Sequence, residues 1–467
     1  MRTVICGGTV VSADGAAPID VLIEGELVAA TARGGGAESE RWLEGADKVV
    51  DATGKYVIPG GIDAHTHMDM PFGGTSSSDT FETGTRAAAF GGTTMIIDFA
   101  IQQKGRSVLE GMDTWQAKAS GVSAIDYSFH AILSDVNETS LKEMDVLVGE
   151  GVTSFKLFMA YPGVFYASDK DIFKAMDRAA SNGALIMMHA ENGIAIDAIV
   201  EKALARGETA PVNHGLTRPA ELEGEAVSRA IRLAQVARSP LYIVHLSSKP
   251  ALEAVVEARD RGQNTFAETC PQYLFLSEED MARDGFEGAK FVCTPPLRPR
   301  QHQAVLWQGL RDDDLSVVAT DHCPFCYKEQ KELGIGDFTK IPNGLPGVEH
   351  RMDLIYQGVL AGEITLQRWV EVTSTNPAKM FGLFPKKGAI APGSDADIVI
   401  YDPRAHHVIS ASTHHMAVDY SCYEGMQLTG GVDTVFSRGE VVIDKASYTG
   451  TAGHGRFVPR QLCGNLR

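Results

Sequence analysis

Eight short apolar runs of strand character predict an α/β fold, a (β/α)8 TIM-like barrel with a second small β-sandwich domain built from both chain ends. Two observations carry that expectation. The runs alternate with segments of helical pattern, as βα units do around a parallel sheet, and the two chain ends read instead as β structure without a helix-length period. A length of 467 residues accommodates one barrel, which can run to about 250 residues or more, together with a small domain.

Taken in order, residues 1–56 hold short β-type runs between Gly and Asp turns, such as Val21-Leu22-Ile23 before Glu24-Gly25. Barrel strands are expected at 62–67, 95–99, 127–133, 153–158, 185–189, 241–245, 265–268 and 317–321. Among the helices between them, 220–236 is well marked: Ala226, Ala230, Ile231, Leu233 and Ala234 recur at helical spacing after Pro219 in the first turn. Beyond 386 the pattern returns to β, as in Asp397-Ile398-Val399-Ile400-Tyr401 and Gly439-Glu440-Val441-Val442-Ile443. Neither end has enough strands to bury a face alone, so 1–56 and 386–467 are expected to join beside a barrel at 57–385.

Composition narrows the function. With 42 Lys+Arg against 60 Asp+Glu, the net charge of −18 has the wrong sign for a nucleic-acid partner. No run of about 18 apolar residues suggests a membrane span, and the N-terminal residues lack a secretory pattern, so a cytoplasmic protein is expected. Seven scattered cysteines read as reduced thiols.

Polar residues fall where a barrel builds active sites. His65 and His67 end the first expected strand, Lys156 sits inside the fourth, His189 and His245 end the fifth and sixth, and Asp321 ends the eighth. Strand C-terminal ends converge on one mouth, so these six should meet there. His65 and His67 at i, i+2 share one side of an extended strand and can reach one metal ion. Taken alone, such a pair is more often a surface or core pair, and a lone strand-end histidine is more often a satisfied core residue. Several at matching strand ends argue for a metal. Lys156, inside Ser154-Phe155-Lys156-Leu157-Phe158, must be neutralised, paired or chemically changed if buried. Asp321 is either a helix cap or a ligand that can also handle a proton.

The chain resembles the dihydropyrimidinase and D-hydantoinase family of the amidohydrolase superfamily over nearly its whole length. The runs that carry the resemblance are Pro59-Gly60-Gly61-Ile62-Asp63-Ala64-His65-Thr66-His67, Gly91-Gly92-Thr93-Thr94, Ser154 to Tyr161, Pro295-Pro296-Leu297-Arg298 and His414-His415-Met416-Ala417-Val418-Asp419-Tyr420. The resemblance implies two Zn2+ ions per chain bridged by an N6-carboxylated Lys156, with His65, His67 and Asp321 on one ion and His189 and His245 on the other. It further implies hydrolysis of the ring amide of a 5,6-dihydropyrimidine or a 5-monosubstituted hydantoin to an N-carbamoyl amino acid. Asp321 would move the proton, and Tyr161 would stabilise the oxyanion. Thr294 and Asn343 would hold the cyclic ureide; Thr294 departs from the serine expected there. Phe72, Phe158 and Phe165 are candidates for the exocyclic pocket, and a homotetramer is expected.

Two rivals differ in what they require. A noncatalytic scaffold of the same fold would not need the intact ligand set. A dihydroorotase usually has an arginine two residues after the His-x-His pair, where this chain has Asp69, which would repel a substrate carboxylate. Allantoinase is disfavoured by the tyrosine-bearing and Pro-Pro-Leu-Arg runs. Cys323-Pro324-Phe325-Cys326 lacks the second CxxC of a zinc site, and His406, His407, His414 and His415 lie in the terminal β region.

Overall fold

In the computed structural model, which describes residues 1–463, eight parallel strands form the barrel. Positions 464–467, the end of the expected 386–467 segment, lie outside the described residues. The strands are β1 (Gly61–Thr66), β2 (Thr93–Ile101), β3 (Asp126–Ile132), β4 (Ser154–Phe158), β5 (Leu185–His189), β6 (Leu241–Ile243), β7 (Thr265–Thr269) and β8 (Val317–Val318). Each pairs with its successor. A parallel bridge between Thr66 and His322 brings the exit of β8 back to β1, where the His67 amide donates to the His322 carbonyl at 2.8 Å.

Every residue of β1 to β7 is buried, which is why these strands read as apolar runs rather than alternating ones. Two strands stop short of expectation, since β6 ends before His245 and β8 before Asp321. His245 at φ 39° and Asp321 at φ 53° leave the β region, so the ladder cannot continue through them.

The helix expected at 220–236 runs over Ala220–Ala237 and buries Ala226, Ala230, Ile231 and Ala234. Pro219 is its N-cap, with Glu221 and Glu223 in the first turn, where negative charge suits the helix dipole.

Both chain ends join in one ten-stranded sheet. The join is the strand Tyr56–Pro59, which pairs parallel with Thr9–Ser12 and antiparallel with Ile398–Val408. Ile5, Val21, Val57, Ile398 and Phe436 form a core there, drawn from both ends. One element was not expected: an eight-residue helix, Ala37–Glu44, which buries Trp42 against Val4 and Leu22. Two turns are too short to register as a period.

The sheet domain is fastened to the barrel by charge. Lys387 donates to Asp126 of β3 at 2.7 Å and to Asp397 at 2.6 Å, and all three are buried. The chain then returns to the barrel: the Tyr127 and Arg456 backbones bond at 3.0 Å, and the Val458 amide donates to the Tyr127 carbonyl at 2.8 Å.

Candidate metal centre

The C-terminal ends of five barrel strands bring the six expected residues into one mouth. His65 lies in β1 and His67 just beyond it, Lys156 is the middle residue of β4, and His189 is the last of β5. His245 and Asp321 follow β6 and β8 on turns with left-handed backbone, a conformation that non-glycine residues hold mainly where the surroundings enforce it. The imidazoles crowd together, with ring centres 5.1 Å apart for His65 and His67, 5.3 Å for His65 and His245, and 4.6 Å for His189 and His245. Asp321 Oδ1 lies 3.1 Å from His65 Nε2 and 3.2 Å from His67 Nε2. Ligand atoms of His65, His245 and Asp321 come within 4.8 Å of one another, a spacing that one ion can span.

Surrounding carboxylates assign the rings. His65 Nδ1 is held by Glu268, whose other oxygen accepts from Tyr242 at 2.8 Å, so Nε2 of His65 is left facing the mouth. Glu191 takes Nε2 of His189 at 2.8 Å, leaving Nδ1 as that ring's remaining donor atom. Carboxylate partners of this kind orient metal-binding imidazoles and raise their basicity. Burial pulls His67 down to about 3 and His245 well below the usual range, so both are neutral and ligand-competent. For His65, burial and Lys156 lower the pKa, but Glu268 and Asp321 outweigh them and raise it. Burial also opposes ionisation of Asp321, yet His65 and His67 hold its carboxyl well below normal.

Lys156 is buried, and its Nζ lies 2.9 Å from His65 Nε2 and 4.2 Å from the centre of the Phe99 ring. Burial pulls its pKa down to about 8. The donor set of imidazoles, a carboxylate and a buried lysine fits a pair of metal ions.

The cavity above this cluster is lined by Tyr161, Thr294 and Asn343, and by Phe72, Phe158 and Phe165. Phe158 and Phe165 stack at 5.0 Å, and Phe72 meets Tyr161 edge-on at 5.5 Å. Tyr161 has φ 59°, and its phenol, raised by burial, hydrogen-bonds Thr294 and Asn343. Thus every residue singled out in the sequence for the site borders one cavity or lies directly beneath it.

Sequence reasoning missed Glu268 and Glu191. Each is an acidic residue at or just beyond the end of an apolar strand, and that placement was the available signal. Cys323 also lines the cavity, whereas the Cys326 thiol points to the Ala417 carbonyl; both are free. His406, His407, His414 and His415 border a separate cleft that shares no lining residue with the mouth.

Residues 56–442 match the amidohydrolase family. The D-hydantoinase of Streptomyces coelicolor is 63% identical, covering 99% of this chain and 98% of the relative. That of Geobacillus stearothermophilus is 49% identical over 100% and 98%. The crystal structure of the dihydropyrimidinase from Brevibacillus agri superposes with a TM-score of 0.97 at 49% identity, covering 100% of both chains. These matches agree with the resemblance carried by the sequence motifs.

Proposed function

Because the chain belongs to the amidohydrolase family, we propose that it is a zinc-dependent cyclic amidase that opens the ring of 5,6-dihydropyrimidines or 5-monosubstituted hydantoins. The observation that carries this reading is the convergence of four histidines and Asp321 on a buried lysine beneath a cavity lined by Tyr161, Thr294 and Asn343. An intact ligand set of this kind is not what a scaffold needs.

His65, His67 and Asp321 would hold one zinc ion and His189 and His245 the other, with carboxylated Lys156 between them. The buried amine, pulled down in pKa, has a neutral fraction that can add carbon dioxide, forming an N–C bond and releasing one proton. Bound zinc would supply hydroxide at neutral pH and polarise the ring carbonyl. Asp321, in contact with His65 and His67, accepts the proton and returns it to the leaving ring nitrogen. Tyr161 donates to the carbonyl oxygen as charge builds there. Thr294 and Asn343 hold the ureide edge, and Phe72, Phe158 and Phe165 enclose the exocyclic group. The product is an N-carbamoyl amino acid.

Free thiols at Cys6, Cys270, Cys293, Cys323, Cys326 and Cys422 support a reduced, cytoplasmic setting, and among the described residues no helix is long and apolar enough to cross a membrane. The homotetramer is carried forward from the family resemblance alone.

The test is loss of cyclic-amide absorbance with dihydrouracil and both enantiomers of a 5-substituted hydantoin. Turnover abolished by a chelator and restored by zinc is expected. A folded, zinc-loaded protein that opens none of these rings refutes the reading.

A further inference from the structure

Lys331 is fully buried, outside the cavity, and no family motif used above includes it. Its ammonium donates to three backbone carbonyls: Val292 at 2.9 Å, Pro342 at 2.7 Å and Gly344 at 2.9 Å. An ammonium has three N–H donors and no acceptor, so three carbonyls satisfy it completely. The ionisable groups acting on it are the thiols of Cys293, Cys323 and Cys422. Burying such a cation away from carboxylates is costly, and the cost is offset by these three bonds and by the Phe325 ring, whose centre lies 5.9 Å from Nζ.

The three carbonyls are not arbitrary. Pro342 and Gly344 flank Asn343, and Val292 lies two residues before Thr294. Gly344 is tied to the same segment by its own amide, which donates to the Val292 carbonyl at 3.0 Å. We infer that Lys331 is a positioning residue for substrate recognition, a three-point clamp that fixes the 292–294 and 342–344 segments at the separation a cyclic ureide requires. The inference rests on the reading above that Thr294 and Asn343 hold the ring. Without this donor nitrogen, three carbonyl dipoles converge with nothing between them and turn apart, carrying both segments with them. Lys331 bonds carbonyls outside the metal-ligand set; the link to that set runs through the Cys323 amide, two residues beyond Asp321, which donates to the Leu345 carbonyl at 3.2 Å. Lys331 therefore governs binding of the ring rather than assembly of the metal centre.

The experiment compares the zinc-loaded wild type with Lys331→Met, which keeps the bulk and removes the donors, and Lys331→Gln, which keeps an amide donor. KM and kcat for dihydrouracil and a 5-substituted hydantoin are measured alongside zinc content and circular dichroism. We expect KM to rise about 10- to 100-fold in Lys331→Met, the scale of a small misplacement of binding groups, with zinc content unchanged and Lys331→Gln intermediate. Wild-type KM and kcat in folded Lys331→Met overturn the inference while leaving the proposed function intact. Should Lys331→Met fail to fold, an unchanged KM in Lys331→Gln overturns it equally. A zinc-loaded wild type that opens no cyclic ureide refutes the proposed function instead, and the inference falls with it.

Discussion

Nζ of Lys156 stands 2.9 Å from Nε2 of His65, so a lysine nitrogen and a candidate ligand nitrogen share the centre of the mouth. Two donors cannot both be protonated there without repulsion, whereas the proposed carboxylation of Lys156 would present oxygens to metal instead. Lys156→Ala is expected to retain at most one zinc ion per chain and to lose more activity than the ~10- to 100-fold that removal of an outer partner costs. Elemental analysis beside the ring-opening assay decides it; two bound zinc ions with full activity would sink the carbamate.

Glu268 collects His65 Nδ1, the Tyr242 hydroxyl and, at 3.1 Å, the His245 amide. It thus sets one candidate ligand ring and steadies the turn that carries another. Glu268→Gln keeps the shape and removes the charge, and should weaken zinc affinity by about 10- to 100-fold. Competition with a chromogenic chelator measures this, and unchanged affinity would show that the ring is held by packing alone.

Positions on strand ends were legible because a barrel converts chain position into spatial position: His189 and His245 are 56 residues apart in number yet 4.6 Å apart in space. Partners chosen by distant packing were not legible. Glu268 meets His65 across 203 residues, and no local pattern announces that pairing. Lys331 gave no sign of burial, since its neighbours are polar and its satisfaction comes from main-chain carbonyls. The Ala37–Glu44 helix escaped for the opposite reason, being too short for its amphipathic period to stand out.

Tyr161 reaches the cavity from a residue with left-handed backbone, its phenol held by Thr294 and Asn343. If it donates to the developing oxyanion, Tyr161→Phe removes a bond made mainly in the transition state. Turnover should fall roughly 10²- to 10³-fold with KM little altered. Steady-state kinetics with one good substrate suffices, and a change confined to KM would recast Tyr161 as a binding residue.

Burial pulls Lys331 down to about 7, whereas an exposed lysine titrates near 10.4. The sign follows from proton counting. Between about pH 7 and 10 the unfolded chain binds this proton and the folded chain holds Lys331 as an amine, which still donates two N–H bonds to the clamped carbonyls, so stability gained from this group rises with pH. Relative to Lys331→Met, the wild type should gain up to ~1.4 kcal/mol per pH unit across that window. Urea unfolding at pH 7, 8 and 9 reads the difference, and parallel curves for the two proteins would place the titration elsewhere.

Lys387 joins the barrel to the sheet domain through Asp126 and Asp397, and Arg438 also contacts Asp126. Burial alone would raise Asp126, but the two cations outweigh it and hold its carboxyl below the usual range. Its stabilising contribution is therefore present above the ordinary carboxylate pKa and is lost as pH falls through the depressed value. Lys387→Met strands buried carboxylates and should cost about 3–5 kcal/mol near neutral pH. Because those carboxylates can escape the penalty by taking up protons, the deficit should shrink as pH drops below about 4. Unfolding midpoints of variant and wild type, followed downward from pH 7, should therefore converge; a gap independent of pH would mean that Lys387 acts through packing and not through its charge.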